Sequence, residues 1–185
     1  MTPRFPKPYA DTVARLRVPS GFLLVLVFAW FSHPTARSLW TGLPVSLAGL
    51  ALRGWAAGCL AKNRQLATGG PYAYTRNPLY IGTLLVAAGL SIAARSPWLA
   101  MLFVLVFVFV YLPVIQLEEQ HLREIFPGYA EYAAQVPALW PRFRPASENS
   151  SDPFSFSLYL TNQEYQAGAG LAAGMLFLLW KLWFL

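Results

Sequence analysis

The apolar residues of this chain fall in long unbroken blocks, without the three- and four-residue spacing that marks an amphipathic helix. Crossing a bilayer core takes about 20 mostly apolar residues, and fewer where flanking side chains snorkel. Five stretches meet or approach that length: Pro19 to Ser32, Leu39 to Ala61, Leu79 to Ala94, Pro97 to Leu117 and Ala167 to Leu185. The pattern predicts an all-α, polytopic membrane protein of about five transmembrane helices. At 95 to 98, "RSPW" predicts a tight reversal, because the residue before a proline avoids the helical region, so the third and fourth helices form a hairpin. A basic leader (Arg4, Lys7, Arg15, Arg17) ahead of the first block imitates a signal peptide. No small-x-small cleavage site follows it and further apolar blocks do, which predicts an uncleaved first helix.

Composition agrees with the pattern: 56% of the 185 residues are hydrophobic and only 12% are charged, the balance of a membrane protein. With a cytoplasmic N-terminus, the inner segments 1–17, 62–78 and 118–166 hold ten of the fourteen Lys and Arg residues, as the positive-inside rule requires. This predicts a multi-pass protein of a bacterial inner membrane, with its polar clusters facing the cytoplasm. The net charge of +6 then reflects topology and contact with anionic lipid heads, and no stripe suited to nucleic acid is present. Cys59 is alone, and His33 and His121 fall on opposite sides of the membrane, so no metal site is expected. The chain is expected to form one membrane domain over 1–185. Its motif region covers 60–142, a polar linker 143–166 and an additional C-terminal helix 167–185. A short interfacial segment at "FSFSLYL" is compatible with that linker.

Two polar clusters interrupt the apolar pattern on the same expected side. The first is "KNRQLATGGPYAYTRNPLYIG". Asn77 followed by Pro78 is a helix-start signal, Asn as N-cap and Pro at the first helical position. The start of the third helix thus lies beside Arg76, where its positive dipole end favours an anion. Capping accounts for Asn77 and Pro78 but leaves Tyr72, Arg76 and Tyr80 unexplained. The second cluster begins at Glu118 and Glu119, acidic residues near the bilayer, where charge is costly. Arg123, four residues after Glu119, is its helical partner by spacing, which leaves Glu118 unexplained. Arg53 lies within the second apolar block, where an ionisable residue is functional by default. Gly54 and Gly58 beside it offer a small face for close approach of a helix or ligand.

These residues carry a family resemblance. Gly70, Tyr72, Arg76, Asn77, Pro78, Tyr80 and Gly82, then a helical hairpin, then Glu118, Glu119, Leu122, Phe126, Tyr129, Tyr132, Val136 and Pro137 resemble the isoprenylcysteine carboxyl methyltransferase and phospholipid methyltransferase superfamily. The resemblance covers roughly residues 60–142. It implies a small helical membrane enzyme that binds S-adenosylmethionine from the cytoplasm and methylates a lipophilic or lipid-anchored acceptor. The cofactor contacts it implies are Arg64, Gln65, Leu66 and Ala67, then Tyr72, then Asn77, Pro78, Leu79 and Tyr80, and Arg76 joins them as a candidate by its charge beside the start of the third helix. It gives Glu118 and Glu119 the catalytic positions, and Arg53 and Arg123 are candidate acceptor-binding bases. Two positions depart from the pattern. Asn77 stands where His is usual and can still donate to a carboxylate. Val114 stands where the eukaryotic prenylcysteine enzymes carry an acceptor-contacting Arg, which argues for a different acceptor or a different base.

Methyl transfer from a sulfonium is an in-line displacement, so the protein's part is alignment and exclusion of water. Tyrosine faces suit a sulfonium, and Arg76 or Arg64 suits a carboxylate. Glu118 or Glu119 would bind the cofactor's ammonium or ribose, or serve as general base on a protonated amine. Two other readings fit the pattern: a sterol-type membrane reductase using NADPH, and a membrane scaffold without catalysis. The sequence leaves the oligomeric state open.

Overall fold

The computed structural model describes residues 5–146 and 153–184, with the side chains of 16–20 excepted. Arg4, the side chain of Arg17 and the Ser- and Asn-rich run 147–152 therefore lie outside the described residues. Among the described residues every regular element is helical. α1 (Lys7–Phe31) and α2 (Ala36–Gly58) precede a short 3₁₀ turn at Gly70–Ala73. α3 (Pro78–Ala93) then leads into α4 (Pro97–Val106), a π-helical turn (Phe107–Tyr111) and α5 (Leu112–Ile125). α6 (Tyr129–Gln135), α7 (Phe156–Thr161) and α8 (Tyr165–Phe184) complete the chain.

Among the described residues two helical stretches are long and apolar enough to cross a membrane, Pro97–Ile125 and Tyr165–Phe184. Gly21–Phe31 and Pro78–Ala93 are shorter apolar helices. α1 begins well before the apolar block expected from Pro19, because the basic leader is itself helical and continuous with it. The "RSPW" reversal is as expected: Arg95 takes a positive φ of 52°, and Ser96 caps α4 by accepting from Leu99 N.

The most extensive helix–helix contact is between α2 and α3. Its basis is a row of small residues, Gly42, Ser46 and Gly49 on α2 against Gly82 and Gly89 on α3. A Cβ on Gly42 would strike the backbone of Gly89 and Ala93, and one on Gly89 would strike Ser46. The backbones are therefore close enough for Ser46 Oγ to donate to Val86 O at 3.2 Å. This row lies apart from Gly54 and Gly58, which instead receive Tyr159 and Phe154 from the segment around α7. At the end holding the 32–35 and 94–96 turns, His33 N donates to Ala94 O and Ser38 Oγ to Ala93 O. There Lys181 of α8 donates to the Ala29 carbonyl in the last turn of α1, where a cation complements the helix dipole. Trp30, Trp40, Trp98 and Trp183 are all exposed near that end.

The π turn has a local cause. In a regular helix residue 113 would donate to Phe109 O, but Pro113 has no N–H. The ladder shifts by one residue, Leu112 N bonding Phe107 O, and Tyr9 Oη of α1 donates to Phe109 O at 2.7 Å. The turn also carries Tyr111, whose ring meets Tyr80 edge-on at 5.7 Å. A reciprocal pair ties the N-terminal segment to α5: Phe5 N donates to Gln116 Oε1 and Gln116 Nε2 to Phe5 O.

Adding a methyl at Gly89 overpacks the α2–α3 contact, so Gly89→Ala should destabilise the detergent-purified protein by about 1–3 kcal/mol. Gly21→Ala, with nothing within 4 Å of the new methyl, should be neutral or slightly stabilising. Equal thermal midpoints for the two variants would remove this contact from its central place in the fold.

Candidate active site

The loop between α2 and α3 meets the chain that follows α5, and that meeting builds the site. Residues 72–77 have few partners of their own, and the stretch from Tyr132 to Ala146 supplies them. Tyr132 Oη donates to Tyr72 O at 2.8 Å, Ala146 N to Ala73 O at 3.0 Å and Arg142 N to Tyr74 O at 3.0 Å. Thr75 Oγ1 donates to Ala138 O, and Arg76 N donates to Pro137 O at 2.9 Å. Asn77 Nδ2 donates to Ala138 O at 3.0 Å. Asn77 is thus the residue preceding α3, as its sequence position predicts, but its side chain makes no capping bond. The side chain is held instead by its amide group, through the bond to the Ala138 carbonyl.

Inside this clamp lies an ion pair between the two motifs. Arg76 Nη2 stands 2.8 Å from Glu119 Oε1, both side chains largely buried, and Arg76 Nη1 donates to Ala133 O. The partner expected for Glu119 from helical spacing was Arg123. The fold brings Arg76 instead, and the Arg123 guanidinium lies over the Tyr129 ring, 5.4 Å from its centre. The structure also separates the two glutamates, Glu119 facing Arg76 and Glu118 exposed.

Among the described residues three buried side-chain atoms make no hydrogen bond: Tyr72 Oη, Arg76 Nε and Glu119 Oε1. The Glu119 oxygen keeps its charge contact with Arg76, out of line for a hydrogen bond. Buried polar groups without partners cost roughly 1–3 kcal/mol each, so each of the three is an exception that the fold maintains at a cost. Burial pushes the Tyr72 phenol far above its ordinary range, with Tyr132, Cys59, Glu118 and Glu164 adding to the effect. Tyr129 is pushed up to about 12, first by burial and then by Glu119, against the opposing charges of Arg76 and Arg123. Both phenols therefore stay protonated at neutral pH.

Tyr72 packs with Ala56, Cys59 and Ala67, with Leu60 and Leu79 against them. Beside this cluster opens a cleft of about 200 Å³ between Cys59, Gln65 and Ala67 on one side and Pro153, Ser155 and Leu158 on the other. Of the residues expected to contact a cofactor, Gln65, Ala67 and Tyr72 border the cleft or its wall. Arg76 and Asn77 are held in the clamp, while Pro78, Leu79 and Tyr80 open α3 behind it. Arg64 is exposed and Leu66 half-buried. Arg53 is engaged elsewhere: its Nε and Nη2 bind Glu164, Nη2 to Oε2 at 2.9 Å, and its Nη1 bonds Thr83 Oγ1 and approaches Leu79 O. Gly82 is what lets the Arg53 stem pass, since a Cβ there would meet Arg53 Cγ.

Sequence reasoning missed Glu164, which is only 6% exposed, although an acid at the edge of the last apolar block is a natural partner for an arginine inside another. It also gave no site role to Tyr132, Thr75 or Asn162. Among the described residues no three His, Cys, Asp or Glu residues gather as metal ligands.

Comparison with known proteins gives three matches. Residues 17–128 match the phospholipid methyltransferase family model. The cobalt-zinc-cadmium resistance protein CzcN of Cupriavidus metallidurans is 35% identical over 123 residues, covering 66% of this chain and 51% of that protein. The nickel-cobalt-cadmium resistance protein NccN of Alcaligenes xylosoxydans xylosoxydans is 37% identical over 81 residues, covering 44% of this chain and 38% of that protein. The chain thus spans about half or less of these curated relatives. No solved structure matches it.

Removing either partner of the buried pair leaves a lone charge, so Arg76→Ala and Glu119→Ala should each destabilise by about 3 kcal/mol. The double variant should lose much less than the sum, and additive losses would mean the pair is not coupled. Both tyrosines resist ionisation in the fold while unfolded tyrosine titrates near pH 10. Their stabilisation is complete below pH 10 and declines as pH rises from there towards 12, by about 1.4 kcal/mol per pH unit for each phenol. Tyr72→Phe should make this alkaline slope shallower by one phenol's share, read from denaturation midpoints between pH 9 and 12.

Proposed function

Since this chain belongs to the phospholipid methyltransferase family, whose membership indicates methyltransferase chemistry at a membrane, we propose that it is an integral membrane S-adenosylmethionine-dependent methyltransferase acting on a lipophilic acceptor. The observation that carries this reading is the buried contact of Arg76 with Glu119 between two distant motifs, with Arg76 Nε, Glu119 Oε1 and, on the same loop as Arg76, Tyr72 Oη left without hydrogen bonds. The donor set suits a zwitterionic ligand: a guanidinium N–H for a carboxylate, a carboxylate for an ammonium, and a phenol kept neutral by burial. Tyr72, Arg76 and Glu119 would hold the cofactor, together with Gln65 and Ala67 at the cleft. When bound, S-adenosylmethionine supplies a methyl group activated on a sulfonium.

The chain's own residues do the rest. The ion pair with Arg76 fixes Glu119 in place, which suits positioning better than proton transfer. Glu118 next to it is exposed and is the candidate base for an acceptor that arrives protonated, such as a lipid amine. A carboxylate acceptor would need no base. Val114, one turn before Glu118, is buried in the bundle, and Arg53 is committed to Glu164, so neither supports a prenylcysteine-type carboxylate site. Arg123 is exposed and is the remaining candidate for an acidic acceptor group. In the multi-pass arrangement we propose, the site faces the cytoplasm and the tryptophan-bearing end the opposite side. The two relatives' names attach them to metal resistance, which makes lipids of metal-stressed cells the first acceptors to try.

Calorimetry with S-adenosylhomocysteine on the detergent-purified protein tests the cofactor: we expect binding in the wild type and its loss in Arg76→Ala. Absence of binding at millimolar ligand would sink the methyltransferase reading, and binding of NADPH in its place would favour the reductase. With radiolabelled cofactor and extracted lipids, Glu118→Gln should retain binding yet lose about 10²–10⁴-fold in turnover on an amine acceptor. Undiminished turnover would dismiss the assigned base.

A further inference from the structure

The cleft beside Tyr72 has one wall that the matched region, residues 17–128, does not contain. That wall is the segment around α7, and it is seated with unusual care for a stretch between a polar linker and a terminal helix. Helix α2 ends at Gly58, where Ala57 O accepts only long turn bonds such as that from Leu60 N at 3.3 Å and the last carbonyls have capacity for further donors. Ser155 N donates to Gly58 O at 2.9 Å. Asn162 Nδ2 donates to both Ala57 O and Leu60 O, at 2.9 and 2.8 Å. The Phe154 ring lies so close over Gly58 that a Cβ there would overlap it, and Tyr159 lies over Gly54. Glu164 then closes the segment onto α2 through Arg53. A segment serving only as tether needs no such set of contacts.

We infer that residues 153–164 form the outer wall of a subsite for a flat nucleobase, so that this chain's C-terminal extension completes the cofactor site. The inference rests on the methyltransferase reading above and adds to it the place of the cofactor's base. At about 200 Å³ the cleft is smaller than the ~300–1,000 Å³ of sites that hold a whole drug-sized ligand. It accepts one ring system rather than an entire cofactor. Its walls suit that ring: Ala67, Pro153 and Leu158 offer apolar faces, and Gln65 and Ser155 offer the few polar groups that read a base edge. Tyr72 belongs to this wall, because its ring packs on Cys59 and Ala67, and its buried hydroxyl has no hydrogen-bond partner of its own. The charged end of the ligand then lies at Arg76 and Glu119 and its base beneath α7.

Cys59 is the sole cysteine of the sequence and borders the cleft, so its alkylation by a small thiol reagent reports on the cleft without any turnover. In the wild type S-adenosylhomocysteine should slow that alkylation. Leu158→Trp, which fills the cleft, should slow it without ligand and weaken S-adenosylhomocysteine about tenfold or more by calorimetry, the equivalent of one well-made contact. Asn162→Ala, which removes both bonds to the end of α2, should speed alkylation several-fold and weaken the ligand without abolishing it. If S-adenosylhomocysteine binds the wild type yet neither protects Cys59 nor responds to Leu158→Trp, the subsite is overturned and the methyltransferase reading survives. If it binds no form of the protein, both fall. If it protects Cys59 and Asn162→Ala alone leaves alkylation and binding unchanged, the anchoring role of α7 is overturned.

Discussion

A loop of irregular backbone beside a membrane has to find partners for its N–H and C=O groups or pay to leave them bare. In this protein the loop of residues 72–77 finds them on the stretch from Tyr132 to Ala146, more than fifty residues later in the chain. The carbonyls of Tyr72, Ala73 and Tyr74 accept from one strap, and the N–H of Arg76 and the amide of Asn77 donate to it. This clamp is what brings Arg76 to Glu119. Tyr72 Oη and Arg76 Nε of the same loop are buried without hydrogen-bond partners. The backbone of the loop is satisfied while selected side-chain atoms are not, and the latter are the basis of the cofactor site we propose.

The bundle serves that arrangement from below. Close approach of α2 and α3 through Gly42, Ser46, Gly49, Gly82 and Gly89 aligns the end of α2 with the start of α3, so the loop between them begins and ends on a rigid pair. Gly82 has a second effect, opening the path along which Arg53 reaches Glu164. The π turn at Phe107–Tyr111 follows from Pro113 and is satisfied by Tyr9. It presents Tyr111 to Tyr80 at the head of α3. Features that resemble ligand-binding residues in isolation, Gly82 and Arg53 among them, are in this fold parts of the frame.

The chain belongs to the phospholipid methyltransferase family, and in the function we propose for it the acceptor depends on residues around the frame. On that reading the exposed Glu118, the buried Val114 and the committed Arg53 favour a lipid amine or another lipophilic group over a dedicated prenylcysteine carboxylate. The relatives named for metal resistance exceed this chain in length, so any shared physiology concerns the matched portion.

The sequence by itself determined the long apolar helices, their order and the two polar motifs between them. Block-like hydrophobicity, the Asn77-Pro78 start, the turn at Ser96-Pro97 and the two motifs are local patterns, and local patterns obey periodicity and backbone sterics that a linear text records. It could not determine the pairings. Arg123 was the nearer partner for Glu119 along the helix, and Asn77 the natural cap for α3, yet Glu119 meets Arg76 and the Asn77 side chain is held at the Ala138 carbonyl. Adjacent glutamates differ by about 100° around a helix, so only the packing of α5 could turn Glu119 inward and leave Glu118 outside. Glu164 was invisible as a site residue for the same reason: a contact across 111 positions depends on how the helices are stacked, and the stacking is fixed by side-chain volume and unsatisfied backbone groups that no single segment contains.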